Sequence, residues 1–147
     1  MIRRASAEDV DALAPLYAAF FAEDGISVPL SSIRSNLAVM LGDPRACVLI
    51  AADADERLIG LSSASLSYGV EFGCSAELED LYVVPARRGE GVARRLFEAA
   101  RDWAAAAGAR ELGLVITAQA EAEQGLTSLY QRLGFARTGR ILMSRAL

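Results

Sequence analysis

Residues 81–93 read LYVVPARRGEGVA, and this stretch decides the fold expected of the chain. Leu81–Val84 are apolar and largely β-branched or aromatic, which predicts a strand, and Pro85 ends it because proline cannot donate a ladder hydrogen bond. A helical pattern begins at Gly91 and supplies unpaired N–H groups with partial positive charge. Gly89 and Gly91 remove side chains where backbone N–H groups must approach an anion. The stretch therefore predicts a phosphate-binding turn between a strand and a helix.

Arg88 and Arg94 add full positive charges to this turn. Two common nucleotide-binding motifs do not fit it. A Walker loop requires Gly-Lys-Ser/Thr, and the chain contains no lysine. A dinucleotide fingerprint that starts at Gly89 requires a third glycine where Arg94 stands. The residues alone leave open a second interpretation, an ordinary glycine-containing turn on an arginine-rich surface.

Composition excludes several kinds of catalysis. The 147 residues include no histidine and no lysine, so that all 15 basic residues are arginine. Ser-His-Asp and Cys-His catalysis, histidine metal sites and lysine Schiff bases are therefore excluded. Proton transfer must use carboxylates, tyrosine, cysteine, water or the chain terminus. We expect no metal cofactor.

Length and charge narrow the class of protein. The length fits one domain over residues 1–147. The net charge of −4 argues against general nucleic-acid binding. No apolar run approaches the roughly 20 residues of a membrane span, and acids follow the N-terminus before any apolar stretch, unlike a signal peptide. We therefore expect a cytoplasmic protein that binds neither nucleic acid nor membrane.

Hydrophobic periodicity predicts an α/β (α+β) domain with a single mixed central sheet. The element order is β-α-α-β-β-β-α-β-α-β-β, which gives about seven strands and about four helices. Strand 76–84, helix 91–107 and strand 110–117 should form a parallel, right-handed crossover. Downstream, residues 121–133 are expected to form one helix and residues 135–147 two short strands.

Two motifs resemble the GCN5-related N-acetyltransferase (GNAT) superfamily. Arg88-x-x-Gly91-x-Ala93 is similar to its acetyl-CoA signature, Arg/Gln-x-x-Gly-x-Gly/Ala, and the preceding LYVVP is similar to its fourth strand, which ends in V-x-P. Residues 129–135, LYQRLGF, resemble its second landmark, L-Y-x-x-x-G-F. The predicted element order covers the whole chain. The resemblance implies an acetyl-CoA-dependent N-acetyltransferase with the GNAT fold.

The resemblance also implies where acetyl-CoA binds. In that family the fourth and fifth strands splay apart, and the pantetheine arm lies between them, bonded to the backbone of the fourth. This places Leu81, Tyr82 and Val83 along the pantetheine. The pyrophosphate is then expected to contact the turn and the helix start, namely Arg88, Gly89, Glu90, Gly91, Val92, Ala93 and Arg94. One departure is Glu123, which stands where many relatives have asparagine.

For the acid and the base, the resemblance points to three side chains. Tyr130 matches the tyrosine that family members commonly use to protonate the departing thiolate, although it could simply pack its helix onto the sheet. A phenol with a pKa near 10 is protonated at neutral pH. Asp80 ranks first as the general base and Glu79 second, with water as a further route. Strand alternation puts these two acids on opposite faces unless a bulge intervenes, and family members often have one here.

The acceptor site implied by the resemblance consists of residues 20–30 and 68–79, where residues 68–75 are expected to form a loop. Both segments combine aromatic residues with acids, and acidic walls favour cations. We therefore expect direct attack by a primary amine of a small cationic molecule, polyamine- or aminoglycoside-like, in a ternary complex. Two alternatives stay open: a protein or peptide N-terminal amine as acceptor, and a non-catalytic acyl-CoA-binding sensor. Relatives are often dimers, which makes a homodimer possible.

Overall fold

Five strands form one mixed sheet in the computed structural model, which describes residues 1–147. They lie side by side in chain order: β1 Ile2–Arg4, β2 Ala46–Ala52, β3 Leu58–Gly69, β4 Gly73–Val83 and β5 Leu112–Leu114. Strands β1 to β4 are antiparallel to their neighbours, and β4 and β5 are parallel. The β4–β5 pair confirms that the predicted crossover joins parallel strands, and the sheet confirms the α/β class with a mixed sheet.

Five α-helices accompany the sheet: α1 Val10–Glu23, α2 Leu30–Gly42, α3 Val92–Ala106, α4 Ala118–Gln124 and α5 Leu126–Arg132. Helices α1 and α2 bury Leu13, Tyr17, Ile33 and Leu37 against strand residues that include Leu61. The next residue of β3, Ser62, donates from its hydroxyl to the Leu96 carbonyl of α3 at 3.4 Å. Because successive strand residues point to opposite faces, α1 and α2 cover one face of the sheet and α3 covers the other.

The predicted counts of seven strands and four helices are wrong. Residues 135–147 form no strand, because an apolar alternation becomes a strand only where a neighbouring strand accepts its ladder bonds. Residues 121–133 do not form one helix. Gly125 adopts a left-handed conformation with φ of 60° and divides the segment into α4 and α5.

The β3–β4 hairpin is longer than predicted, because the expected loop at residues 68–75 is mostly strand. Tyr68 pairs with Cys74, and Gly69 pairs with Gly73 at the end of the ladder. Ladder pairing continues along both strands in this segment because the chain reverses only at residues 70–72. Cys74 is consequently buried within the strand.

The chain divides into two compact units. Met1–Val115 contains the whole sheet and α1 to α3, and Ile116–Leu147 contains α4 and α5. That residues 1–147 constitute one domain stays a prediction. None of the helices combines the length and the apolar character needed to cross a membrane.

Candidate active site

A β-bulge in β4 sets the direction of the two candidate bases. Ser63 pairs with Asp80 and Ala64 pairs with Leu78, so Glu79 is the extra residue that has no partner in β3. Both residues of the bulge accept hydrogen bonds from hydroxyls two residues apart on β3, Asp80 from Ser63 and Glu79 from Ser65. Residues two apart on a strand share a face. The bulge therefore brings both acids to the face that carries α1, as the prediction allowed.

Asp80 is half-buried in a small hydrogen-bonded cluster. Its Oδ2 accepts from the Ser63 hydroxyl at 2.5 Å and from the Tyr17 hydroxyl at 3.3 Å. Burial raises the pKa of the Asp80 carboxyl, and the charge of Glu79 raises it further, while the two hydroxyl donors oppose the increase. A carboxylate with a raised pKa is better matched to accepting a proton near neutral pH.

The acids vary in their exposure along β4. Glu79 is exposed, and its carboxylate accepts a hydrogen bond from Ser65. Glu77 is also exposed and lies directly opposite Ser65 in the ladder, so it shares that face. Glu77, Glu79 and Asp80 thus form an acidic strip, the name used below for these three residues.

The pairing of β4 with β5 ends within the acidic strip. Their pairing runs from Ala76 opposite Leu112 to Leu78 opposite Leu114, and β4 continues to Val83 without β5. The ladder thus stops in the part of β4 where the family resemblance implies that the two strands splay apart. It leaves one edge of residues 79–83 without a ladder partner in β5.

Successive residues of a strand direct their backbone groups to opposite edges, and this alternation shows which groups of residues 81–83 point into the open edge. The Val84 N–H donates to Ile59 of β3 at 3.0 Å, so the backbone groups of Val83 and Leu81 point away from β3. The Arg88 Nε confirms this direction, because it donates to the Val83 carbonyl at 2.9 Å. The N–H and carbonyl of Leu81 and the N–H of Val83 therefore point into the open edge, where the amides of a pantetheine would lie. The Val83 carbonyl already accepts from Arg88. Tyr82 is different, because its backbone faces β3 and its ring is buried against Phe20 at 5.2 Å.

The turn after β4 has the geometry of an anion site. A short 3₁₀ turn at Pro85–Arg87 leads into Gly89 and Gly91, with φ of 84° and 75°, and α3 begins at Val92 with no side-chain cap. Only glycine adopts these angles without strain. A cavity of about 320 Å³ lies against Val83, Arg87, Arg88, Gly89, Gly91, Val92 and Ala93. The uncapped first turn of α3 thus borders a concave surface that suits a phosphate.

The arginines of this turn are engaged in ion pairs within the protein. Arg88 contacts Glu23, at the end of α1, at 2.7 Å and lies 5.6 Å above the centre of the Tyr82 ring. Arg94 pairs with Glu98 at 2.9 Å, one helical turn away. Each guanidinium would have to give up or share its carboxylate to contact a phosphate. The backbone N–H groups of the turn would contact a phosphate without losing an ion pair.

Tyr130 lies in the second unit, within α5. It is half-buried, and the Phe135 ring meets its ring edge-on with centres 5.6 Å apart. Burial raises the pKa of the Tyr130 phenol, which keeps the group protonated at neutral pH. The Phe135 N–H donates to the Tyr130 carbonyl at 3.0 Å and fixes the end of this motif.

Comparison with known proteins identifies the family of this chain. The model of the acetyltransferase (GNAT) family matches residues 11–135. The chain belongs to this family. It is therefore an acetyl-CoA-dependent N-acetyltransferase, as the two motifs predicted.

Individual known proteins are similar to this chain over different lengths. Aminoglycoside N(6′)-acetyltransferase type 1 of Salmonella typhimurium is 32% identical over 98 residues, which is 64% of this chain and 66% of that protein. An integron cassette protein from the Cole Harbour Salt Marsh metagenome has a TM-score of 0.85 at 25% identity, over 99% of this chain and 90% of its own. Aminoglycoside N-acetyltransferase AAC(6′)-Iy in complex with CoA has a TM-score of 0.82 at 24% identity, over 99% of this chain and 93% of its own.

Two polar residues of this site were missed by the sequence reasoning. Tyr17 occupies an inward position of α1, where its spacing indicates only an apolar helix face. Ser63 lies in a strand where its hydroxyl gave no signal of its own. Both are almost fully buried, with 4% and 0% of their surface exposed. The only sequence signal is that tyrosine and serine occupy inward positions where apolar residues would serve for packing alone.

Proposed function

We propose that this GNAT enzyme acetylates a primary amine of a small cationic molecule, polyamine- or aminoglycoside-like, by direct attack in a ternary complex. The observation that carries the proposal is the acidic strip beside the open edge of β4. Three carboxylates on one face attract ammonium groups through their local field. Similarity to an aminoglycoside N(6′)-acetyltransferase supports the same class of acceptor.

The proposed cofactor site is the open edge of β4 together with the turn that follows. Leu81 and Val83 bond the pantetheine through their backbone, and the Tyr82 ring supports the strand from the core. The N–H groups of Gly89, Glu90, Gly91, Val92 and Ala93 surround the pyrophosphate, with Arg88 and Arg94 close enough in sequence to add charge. Acetyl-CoA supplies the activated acetyl thioester when bound.

Proton transfer in the proposed reaction needs a base and an acid from this chain. Asp80 takes a proton from the acceptor ammonium, directly or through water, and Glu79 is the second candidate. The neutral amine then forms the C–N bond to the acetyl carbon as the C–S bond breaks and its electron pair leaves on sulfur. Tyr130 gives its proton to that sulfur. The nitrogen loses its second proton to solvent as the amide forms, Asp80 releases the proton it took to solvent, and Tyr130 regains one from solvent. The raised pKa of Asp80 favours it over exposed Glu79 as the base.

A thiol-release assay with acetyl-CoA and a panel of amines tests this proposal. The panel contains aminoglycosides, linear polyamines, a neutral primary amine and peptides with free N-termini. We expect turnover with the polycations and little with the neutral amine. Turnover only with peptides would replace the acceptor class. Calorimetric binding of acetyl-CoA without thiol release for any amine would instead indicate a sensor module.

A homodimer also stays a prediction, and sedimentation equilibrium of the full chain tests it.

A further inference from the structure

We propose that Tyr17 and Ser63 are positioning residues that hold the Asp80 carboxylate with one oxygen turned to the acceptor amine. The proposal rests on the proposed role of Asp80 as the base. The three residues come from separate elements: Tyr17 lies on α1, Ser63 on β3 and Asp80 on β4. Both hydroxyls reach the same atom, Oδ2, at 3.3 Å and 2.5 Å.

Shared use of Oδ2 has a chemical consequence. A carboxylate that accepts two hydrogen bonds on one oxygen has a fixed plane, and its other oxygen, Oδ1, is directed by that plane. Oδ1 is then the atom that takes the proton from the ammonium, while Oδ2 keeps both donors through the transfer. Desolvation makes the ionised carboxylate costly, and hydrogen bonds to the charged form offset that cost.

Packing alone does not account for the two hydroxyls. The Tyr17 ring packs against Phe21 with centres 5.6 Å apart, a contact that phenylalanine would make equally well. Its hydroxyl is buried, and a buried hydroxyl without a partner is costly. Asp80 is its partner, just as it is for the fully buried Ser63.

The groups that face Asp80 come from three elements, and they shift the pKa of its carboxyl. Tyr17 comes from α1, Glu79 from the same strand, and β3 contributes the hydroxyl of Ser63. Burial and the nearby charge of Asp80 raise the pKa of Tyr17 well above its ordinary value, so Tyr17 stays a hydrogen-bond donor across the working range. Removing either donor destabilises the ionised carboxylate. The acidic limb of the kcat/KM profile, below which the base is protonated, must then move to higher pH.

The test compares Tyr17→Phe and Ser63→Ala with Ser62→Ala, using the best amine found in the acetyl-CoA assay. Ser62 is the adjacent buried serine whose hydroxyl bonds to α3 on the opposite face, so it serves as a matched control. We expect each of the first two variants to lose roughly tenfold in kcat/KM at neutral pH and to shift the acidic limb upward. Ser62→Ala should keep the limb of the wild type. KM for acetyl-CoA should change in none of the three.

Asp80→Asn separates this inference from the proposed function. If Asp80→Asn keeps the wild-type pH profile, Asp80 is not the base and the positioning role fails with it, while acetylation of the amine stands with Glu79 or water as the route for the proton. If Asp80→Asn moves the acidic limb up to the pKa of the amine while Tyr17→Phe and Ser63→Ala keep the wild-type limb, only the positioning role is overturned. In the Asp80→Asn background, adding Tyr17→Phe should cause no further loss, because the oxygen it positions no longer accepts the proton. Thermal unfolding of each variant checks that it folds. If Tyr17→Phe does not fold, Ser63→Ala alone provides the test.

Discussion

At the scale of single residues, Asp80 is the carboxylate whose surroundings differ most from those of its neighbours in the acidic strip. Burial raises the pKa of Asp80, and hydrogen bonds from Ser63 and Tyr17 keep its ionised form accessible. The acidic limb of activity should therefore lie above the range of an ordinary aspartate. Below that limb the base is protonated, so activity falls as pH falls.

Replacing Asp80 by asparagine tests its role directly. We expect Asp80→Asn to lower kcat/KM on the order of 10²-fold at neutral pH, where the amine is mostly protonated and needs a base. The loss should shrink at high pH, where the amine is already neutral. Thiol-release rates from about pH 6 to pH 9.5 measure this, with Glu79→Gln as the matched comparison. A larger and more pH-dependent loss in Glu79→Gln would assign the base to Glu79.

The role proposed for Tyr130 leads to a different prediction, because that role concerns the leaving thiolate and not the acceptor. Tyr130→Phe keeps the ring contact with Phe135 and removes only the proton donor. We expect kcat to fall on the order of 10²-fold while KM for acetyl-CoA changes little. Steady-state kinetics with both substrates varied measures the two parameters. An unchanged kcat would leave Tyr130 with a packing role only.

At the scale of elements, the bulge at Glu79 decides what the site can do. Alternation along a regular strand would have put Asp80 and Glu79 on opposite faces. The bulge turns both toward α1 and also changes which backbone groups reach the open edge. Before it, the Ala76 N–H bonds toward β5, to Glu111 at 2.9 Å, whereas after it the backbone of Leu81 and Val83 has that direction. One extra residue thus couples the acids to the edge proposed for the pantetheine.

Gly60 keeps β3 and β4 close together behind this edge. A Cβ at Gly60 would lie 2.8 Å from the Tyr82 carbonyl oxygen and 3.0 Å from Cδ1 of Leu96. We expect Gly60→Ala to lower the free energy of unfolding by about 1–3 kcal/mol, because backbone and a packed helix must both move. Gly69→Ala is the control, since a Cβ there meets nothing within 4 Å. Urea unfolding measures both, and equal stabilities for the two variants would contradict the prediction.

Asp9 links the first strand to the first helix through a charge. It accepts two hydrogen bonds from Arg3, at 2.7 and 2.8 Å, and one from the Ser6 N–H. The hydrogen bonds from Arg3 lower the pKa of Asp9 from its ordinary 3.8 to about 2. Because the folded pKa is depressed, the ionised carboxylate stabilises the fold above about pH 4. That contribution is lost as pH falls toward 2.

Substituting Asp9 by asparagine should therefore matter at neutral pH and not in acid. We expect Asp9→Asn to lower the free energy of unfolding by about 1–2 kcal/mol at pH 7. The difference from wild type should vanish as pH approaches about 2. Urea unfolding at several pH values measures it. Asp102→Asn, which breaks an exposed pair with Arg101, should change stability little at any pH.

At the scale of the whole molecule, sequence reasoning succeeded where the signal was local. The strand, the glycine turn and the start of α3 follow from residues 81–93, because proline and glycine act within a few residues of their positions. The contacts of Tyr17 with Asp80 and of Glu23 with Arg88 join residues far apart in sequence, which no local pattern reports. The break at Gly125 was missed because the helical period continues through a glycine whose φ only the structure reveals.

The charge of the protein as a whole bears on its choice of acceptor. Net charge is −4, and the exposed acids Glu77 and Glu79 line the face proposed for the amine. Attraction between exposed charges is screened as the Debye length falls from about 10 Å at 0.1 M salt to about 3 Å at 1 M. KM for a polycationic acceptor should therefore rise several-fold between about 0.05 and 0.5 M salt.

Two comparisons isolate the cause of that salt effect. A monoamine acceptor, with a single ammonium group, should show a much weaker dependence of KM on salt. The double variant Glu77→Gln with Glu79→Gln should raise KM for the polycation at low salt and flatten its dependence, because the screened carboxylates are gone. Acetyl-CoA is held saturating throughout, so that its own phosphate contacts do not enter KM for the amine. A salt-independent KM for the polycation in the wild type would mean that the acidic strip does not bind the acceptor.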